Sequence, residues 1–160
     1  MQLSFKSFTL VFLFIPCLFF SCNKNKDTKS NYIISSKNPI KKTPMKVVSV
    51  SPAITEILFA LDCGDRLIGR TEFCNYPPDA KKIKSIGGIN NANLEEIIKL
   101  QPDLVITSSI FTKKMFETIE EAAIPIISFK ETNTIEGMYE TIEMLGKVMD
   151  KEAKAKSIID

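Results

Sequence analysis

Lys46-Val-Val-Ser-Val-Ser-Pro-Ala-Ile-Thr-Glu-Ile-Leu-Phe-Ala-Leu61 joins two hydrophobic periods across one tight turn. Lys46 to Val50 is short and β-branched, the composition of a buried strand. Beyond Ser51-Pro52-Ala53, the apolar residues Ile54, Ile57, Leu58 and Leu61 recur at i, i+3, i+4 and i+7. That spacing is the stripe of a helix laid on a core. A strand that turns at once into a helix is half of a parallel crossover unit, and the rest of the chain repeats it.

Arg66-Leu-Ile-Gly-Arg70 reads as a second strand and Lys84-Ser-Ile-Gly87 as a possible third. Leu94, Ile97 and Ile98 mark a short helix closed by Gln101-Pro102-Asp103, because proline cannot continue it. Leu104-Val-Ile-Thr107 is the clearest strand. Met115, Phe116, Ile119 and Ala123 predict a helix, and Pro125-Ile-Ile-Ser-Phe129 a strand. Ile135, Met138, Tyr139, Ile142 and Leu145 predict a long amphipathic helix. Strands alternating with helices predict an α/β fold, an open parallel sheet with helices on both faces. Residues 45–150 make one such lobe. A further helix is expected to begin near Lys151 and run to Asp160 as the start of something larger.

The amino end has a different character. Lys6 precedes an apolar run from Phe8 to Phe20, about 13 residues against the roughly 20 that a spanning helix needs. A charged start, a short apolar core and a small residue predict a signal peptide over residues 1–21. Ser21-Cys22 follows, resembling the bacterial lipobox: Leu18 and Ser21 are usual types, Phe19 and Phe20 bulkier ones. Cleavage before Cys22 and a lipid on its thiol are therefore expected. The chain is read as exported and membrane-anchored. Between Asn23 and Thr43, six lysines face the single acid Asp27, a net +5. So polar a segment buries too little apolar surface to offset chain ordering, and residues 22–44 are expected to form a flexible tether. From Met45 on, 14 basic residues meet 18 acidic ones, a net −4. Nucleic acid is not an expected partner.

The chain has no histidine. That removes the Ser-His-Asp triad, histidine acid–base chemistry and the usual zinc ligand sets. No Gly-x-Gly-x-x-Gly or Walker-type loop follows a strand. An enzyme is disfavoured, and no cofactor or metal site is expected. Cys63 closes the first helix, while Cys74 follows the second strand. The strand between them spans about 15 Å at roughly 3.3 Å per residue, whereas disulfide α-carbons lie within about 7 Å. Two free, buried thiols are predicted.

Four stretches resemble the first lobe of the periplasmic binding proteins that serve ABC importers for cobalamin, haem and iron–siderophore complexes. They are Val48 to Leu61, Gly64-Asp65-Arg66-Leu67-Ile68-Gly69, Cys74-Asn75-Tyr76-Pro77-Pro78-Asp79-Ala80, and Gly87-Gly88 through Asn93 to Ile97, closing on Lys99 to Ile106. Their order and spacing match that family. The resemblance implies a lipid-anchored substrate-binding component, with ABC permease and ATPase subunits as partners and a corrinoid, haem or iron chelate as ligand. Members of that family are about twice as long, so the chain is read as one lobe. A stand-alone lobe acting in protein–protein interaction is the alternative.

In an open parallel sheet, ligands gather at the carboxyl ends of the strands. Candidate contacts are accordingly Ser51, Pro52 and Ala53 after strand one and Phe73 and Tyr76 after strand two. Asn90 and Asn91 follow Gly87-Gly88, and Ser108 and Ser109 end the strand at Leu104. Ser51 is also expected to cap its helix. Asn75 stands where the family often carries aspartate. Importer docking in cobalamin-type relatives uses an acid early in the helix after that strand. Lys113 falls at that position, with Glu117 one turn later on the same face.

Overall fold

Side chains alternate across the central strands, and the alternation divides the core in two. The computed structural model describes residues 31–160. On one face lie Val47, Leu104, Ile106, Ile127 and Phe129; on the other lie Val48, Val105 and Ile126. Both faces are covered, as apolar residues at successive strand positions demand.

The strands are β1 (Tyr32–Ile34), β2 (Val47–Ser49), β3 (Leu67–Arg70), β4 (Leu104–Ser108) and β5 (Ile126–Phe129). The helices are α1 (Pro52–Ala60), α2 (Leu94–Lys99), α3 (Lys113–Glu121), α4 (Ile135–Val148) and α5 (Glu152–Ile159). The sheet order is β1-β5-β4-β2-β3. Pairs β2–β3, β2–β4 and β4–β5 are parallel. Leu58, Leu61, Leu145, Met149 and Ala155 put α1, α4 and α5 on one face. Ile97 and Ile119 put α2 and α3 on the other. The expected α/β architecture is therefore present.

Three expectations are corrected. The sheet is mixed, because β1 pairs antiparallel with β5, Tyr32 opposite Phe129 and Ile34 opposite Ile127. That strand lies inside the segment expected to be a tether. Tyr32 stacks tilted on Phe129 at 5.8 Å between ring centroids, and Asn38 donates from its side chain to the Glu120 carbonyl at 2.7 Å. The tether reading thus fails over residues 32–38, where backbone pairing and these anchors outweigh a polar composition. The possible strand at Lys84–Gly87 is one isolated bridge, Ser85 beside Arg70. Two hydrogen bonds to Arg70 and one from the Glu72 amide to the Gly87 carbonyl hold it there, and Gly87, at φ +93°, breaks the extended run.

Helices α1 to α4 end on a non-glycine residue in the left-handed region: Asp62, Gln101, Ala123 and Asp150. After Asp150 the chain folds back, and α5 packs on α4 through Gly146 and Ala155. Cys63 and Cys74 are both free and buried. Cys63 sits in the core beneath α1, and Cys74 meets the Thr71 hydroxyl at 3.1 Å.

Candidate ligand-binding edge

The carboxyl ends of β2, β3, β4 and β5 all open on one edge of the sheet, since these four strands are parallel. Of ten exposed large apolar side chains among the described residues, five stand on loops and helix starts at this edge. They are Phe73 (54% exposed), Tyr76 (63%), Ile110 (42%), Ile135 (62%) and Met138 (44%). Ile135 and Met138 line a groove at this edge, while Phe73, Tyr76 and Ile110 stand outside it.

A groove of about 510 Å³ lies on this edge, between the start of α1 and the loop joining β5 to α4. Ser51, Ala53 and Ser108 line it, together with residues 129–135, Met138 and Thr141. Ser109 stands at its rim, its hydroxyl accepting from the Glu131 amide at 3.4 Å. Pro52 is the first residue of α1 and half-buried. Hydrogen bonds hold the β5–α4 loop in shape. The Thr134 hydroxyl caps α4 by accepting from the Gly137 amide at 3.1 Å, and Thr132 and Thr134 hydroxyls meet at 3.0 Å. Gly137 is required there, because a methyl on it would collide with the Thr132 side chain.

Ser51 departs from its expected role. It occupies the N-cap position of α1, but its side chain makes no capping bond. Its carbonyl is the busy group, accepting from the Thr55 amide at 3.0 Å and from the Ser49 hydroxyl at 3.0 Å. The Thr55 hydroxyl lies 2.9 Å from that of Ser49.

Phe73, Tyr76, Asn90 and Asn91 do not line the groove. They occupy the flank beyond β2, where the Glu72 amide donates to the Gly87 carbonyl at 2.9 Å and ties the two loops together. All four are exposed. Arg70 sets this flank: Nε donates to the Ala80 carbonyl at 3.0 Å, Nη1 to Thr71 at 2.9 Å and Nη2 to Lys81 at 3.2 Å. Lys113 and Glu117 lie on α3 and pair with each other at 3.6 Å, largely in solvent. Cys22 lies outside the described residues.

The sequence reading missed the β5–α4 wall, Lys130 to Thr134 with Ile135 and Met138. The strand-end rule that selected Ser51, Phe73 and Ser108 applies equally to Phe129 and points directly at this loop. Two charged and nucleophilic groups lie elsewhere. Asp103 accepts from the Met45 and Lys46 amides at 3.0 and 3.1 Å, which holds its carboxyl below the ordinary range. Burial pushes the Cys63 thiol up.

The described residues thus form an α/β lobe with a groove at the strand ends. The sequence profile described as "Periplasmic binding protein" matches residues 47–160, and the chain belongs to that family. It is 34% identical over 123 residues to the uncharacterized ABC transporter substrate-binding lipoprotein YvrC of Bacillus subtilis (strain 168), covering 75% of this chain and 39% of that protein. It is 36% identical over 107 residues to a vitamin B12-binding protein of Vibrio campbellii, covering 66% and 38%. A possible iron-binding periplasmic protein of Staphylococcus epidermidis superposes at a TM-score of 0.69 with 29% identity, over 74% of this chain and 47% of that one. A periplasmic haem-binding protein of Pseudomonas aeruginosa shares the fold at a TM-score of 0.70 with 20% identity, over 72% and 42%. The chain thus spans about two-fifths of the length of the curated relatives it matches.

Proposed function

We propose that this chain is the first lobe of a lipid-anchored substrate-binding component of an ABC importer, with a corrinoid, haem or iron chelate as its ligand. The observation that carries the reading is the groove, with its exposed Ile135 and Met138, at the carboxyl edge of a parallel sheet. That edge offers one open wall of a cleft among the described residues, and in this reading a second lobe supplies the opposite wall. A vitamin B12-binding protein at 36% identity supports the ligand class, and an ABC transporter substrate-binding lipoprotein at 34% supports the transport role.

Within this reading Phe73, Tyr76, Asn90 and Asn91 form the far flank of the cleft, and Ser51, Ala53, Ser108 and Ser109 its floor. Permease docking uses the exposed face of α3. Lys113 and Glu117 form a loose, exposed pair there at 3.6 Å, which leaves Glu117 open to an arginine of the permease. The lipid on Cys22 tethers the lobe to the membrane.

Absorbance titration of the chain with cobalamin, haem and a ferric siderophore tests the ligand class. Binding of at least one is expected, and selective binding of a sugar or an amino acid would refute it. Growth with labelled palmitate tests the anchor: the label is expected on the protein and lost in Cys22→Ala. A label that survives that substitution would place the lipid elsewhere.

A further inference from the structure

Two helices open onto the groove, α1 through Ser51 and Ala53, and α4 through Thr134 and Ile135. The first amides of a helix have no intrahelical acceptor, and the aligned peptide dipoles put partial positive charge there. At α4 this is answered from within: Thr134 takes the Gly137 amide, and Glu136 sits in the first turn. At α1 it is not. Its nine residues have no acid in the first turn, and Ser51 gives no side-chain cap. Pro52 has no N–H, and the first backbone bond runs from Thr55 to the Ser51 carbonyl. The Ala53 and Ile54 amides are thereby left over.

Ser51 is the second, independent sign. It is only 8% exposed, so more than nine-tenths buried. Its hydroxyl makes no bond within the protein, yet is not sealed off from solvent. It lines the groove beside Ala53 and Ile54. A hydroxyl that opens to solvent from an otherwise buried residue, and two spare amides at the same helix start, form a donor set without an acceptor in the protein. The other charges lining the groove, Lys130 and Glu131, oppose each other in sign.

We propose that Ser51 and the Ala53 and Ile54 amides form an oxyanion subsite, which takes a carboxylate or phosphate group of the ligand. This rests on reading the groove as the ligand's wall, and deepens it: ligands bearing an acidic group are favoured over neutral ones of the same size. The subsite belongs wholly to this lobe, so it works, weakly, without a second wall.

The test follows the amide resonances of the isotope-labelled full chain during titration with citrate and with inorganic phosphate, triethyl citrate being the neutral control. Ala53 and Ile54 should shift saturably at millimolar citrate or phosphate, the tighter of the two probes assigning the group, while triethyl citrate moves neither. Ser51→Asp should abolish the response with an equal or higher melting temperature, because its carboxylate caps α1 and fills the subsite. No response to either anion at tens of millimolar, an equal response to the ester, or a response that survives Ser51→Asp would overturn the subsite. An intact anion response with no binding of cobalamin, haem or siderophore would instead fault the transport reading and leave the subsite standing.

Discussion

The guanidinium of Arg70, the last residue of β3, reaches ten positions along the chain to donate to the carbonyl of Ala80 at 3.0 Å. Its other nitrogens bind Thr71 and Lys81, so one side chain pins both ends of the loop that carries Phe73 and Tyr76. Charged donors to backbone carbonyls are stronger than neutral ones. Arg70→Ala is expected to cost about 2–3 kcal/mol, taking the three bonds as non-additive. Amide exchange should quicken across residues 72–79 and stay unchanged in β4. A loop that remains protected would mean that Arg70 does not hold it.

Asp103 ties the start of β4 to the strand beside it through the Met45 and Lys46 amides. These bonds favour the charged form, so its carboxyl ionises below its ordinary value in the folded chain. The stabilisation is therefore complete above the unfolded carboxyl's pKa of about 3.9, and is lost as pH falls through the lower folded value. Asp103→Asn should lower stability by about 1–2 kcal/mol at pH 7. That gap should close in acid, below pH 4. Denaturant melts across pH measure it, and a gap that persists undiminished in acid would contradict the linkage.

Ala123 closes α3 at φ +60°. A side chain in the left-handed region costs roughly 1–2 kcal/mol, which glycine avoids at some expense in chain entropy. Ala123→Gly should raise stability by about 0.5–1 kcal/mol. Asp62 has a similar backbone but pairs with Lys154 at 2.9 Å, so the same substitution there should gain less. Thermal melts of both variants give the comparison, and a loss at Ala123 would refute it.

Cys63 and Cys74 are 0% and 1% exposed and unbridged. Mild reductant should leave the melting temperature unchanged. A thiol reagent should reach these two residues, as mapped by peptide analysis, only after unfolding. A drop of several degrees on reduction would mean that they are bridged.

The elements that were legible in the sequence are those whose signal is local. Val47 to Val50 and Leu104 to Thr107 announce themselves by β-branching, and Ile54-Ile57-Leu58-Leu61 by helical spacing. β1 is not local. Tyr32–Ile34 is a strand because Ile127 to Phe129, nearly a hundred residues on, offers it partners. Arg70 was equally opaque, since a strand-end arginine shows nothing of the carbonyls it will find. At the site, Ser51 was legible as a helix start, but not the absence of a capping bond from its side chain or the Ser49 hydroxyl's bond to its carbonyl. The groove's second wall, Lys130 to Thr134, carries no motif and is marked only by following a strand.

The most direct test of the ligand-lobe reading is calorimetry with cobalamin, haem and a ferric siderophore, on this chain alone and then with the second lobe of a relative such as YvrC. A cleft buries most of its ligand between two walls, and contact is worth about 25 cal/mol per Å² of apolar surface. Losing one wall removes several multiples of the roughly 1.4 kcal/mol that make a tenfold change. The expected result is weak binding of at least one ligand by this chain alone, tightened a hundredfold or more when the second lobe is added. Tight binding by the single lobe, unchanged by the second, would contradict the two-wall cleft and favour a self-sufficient module.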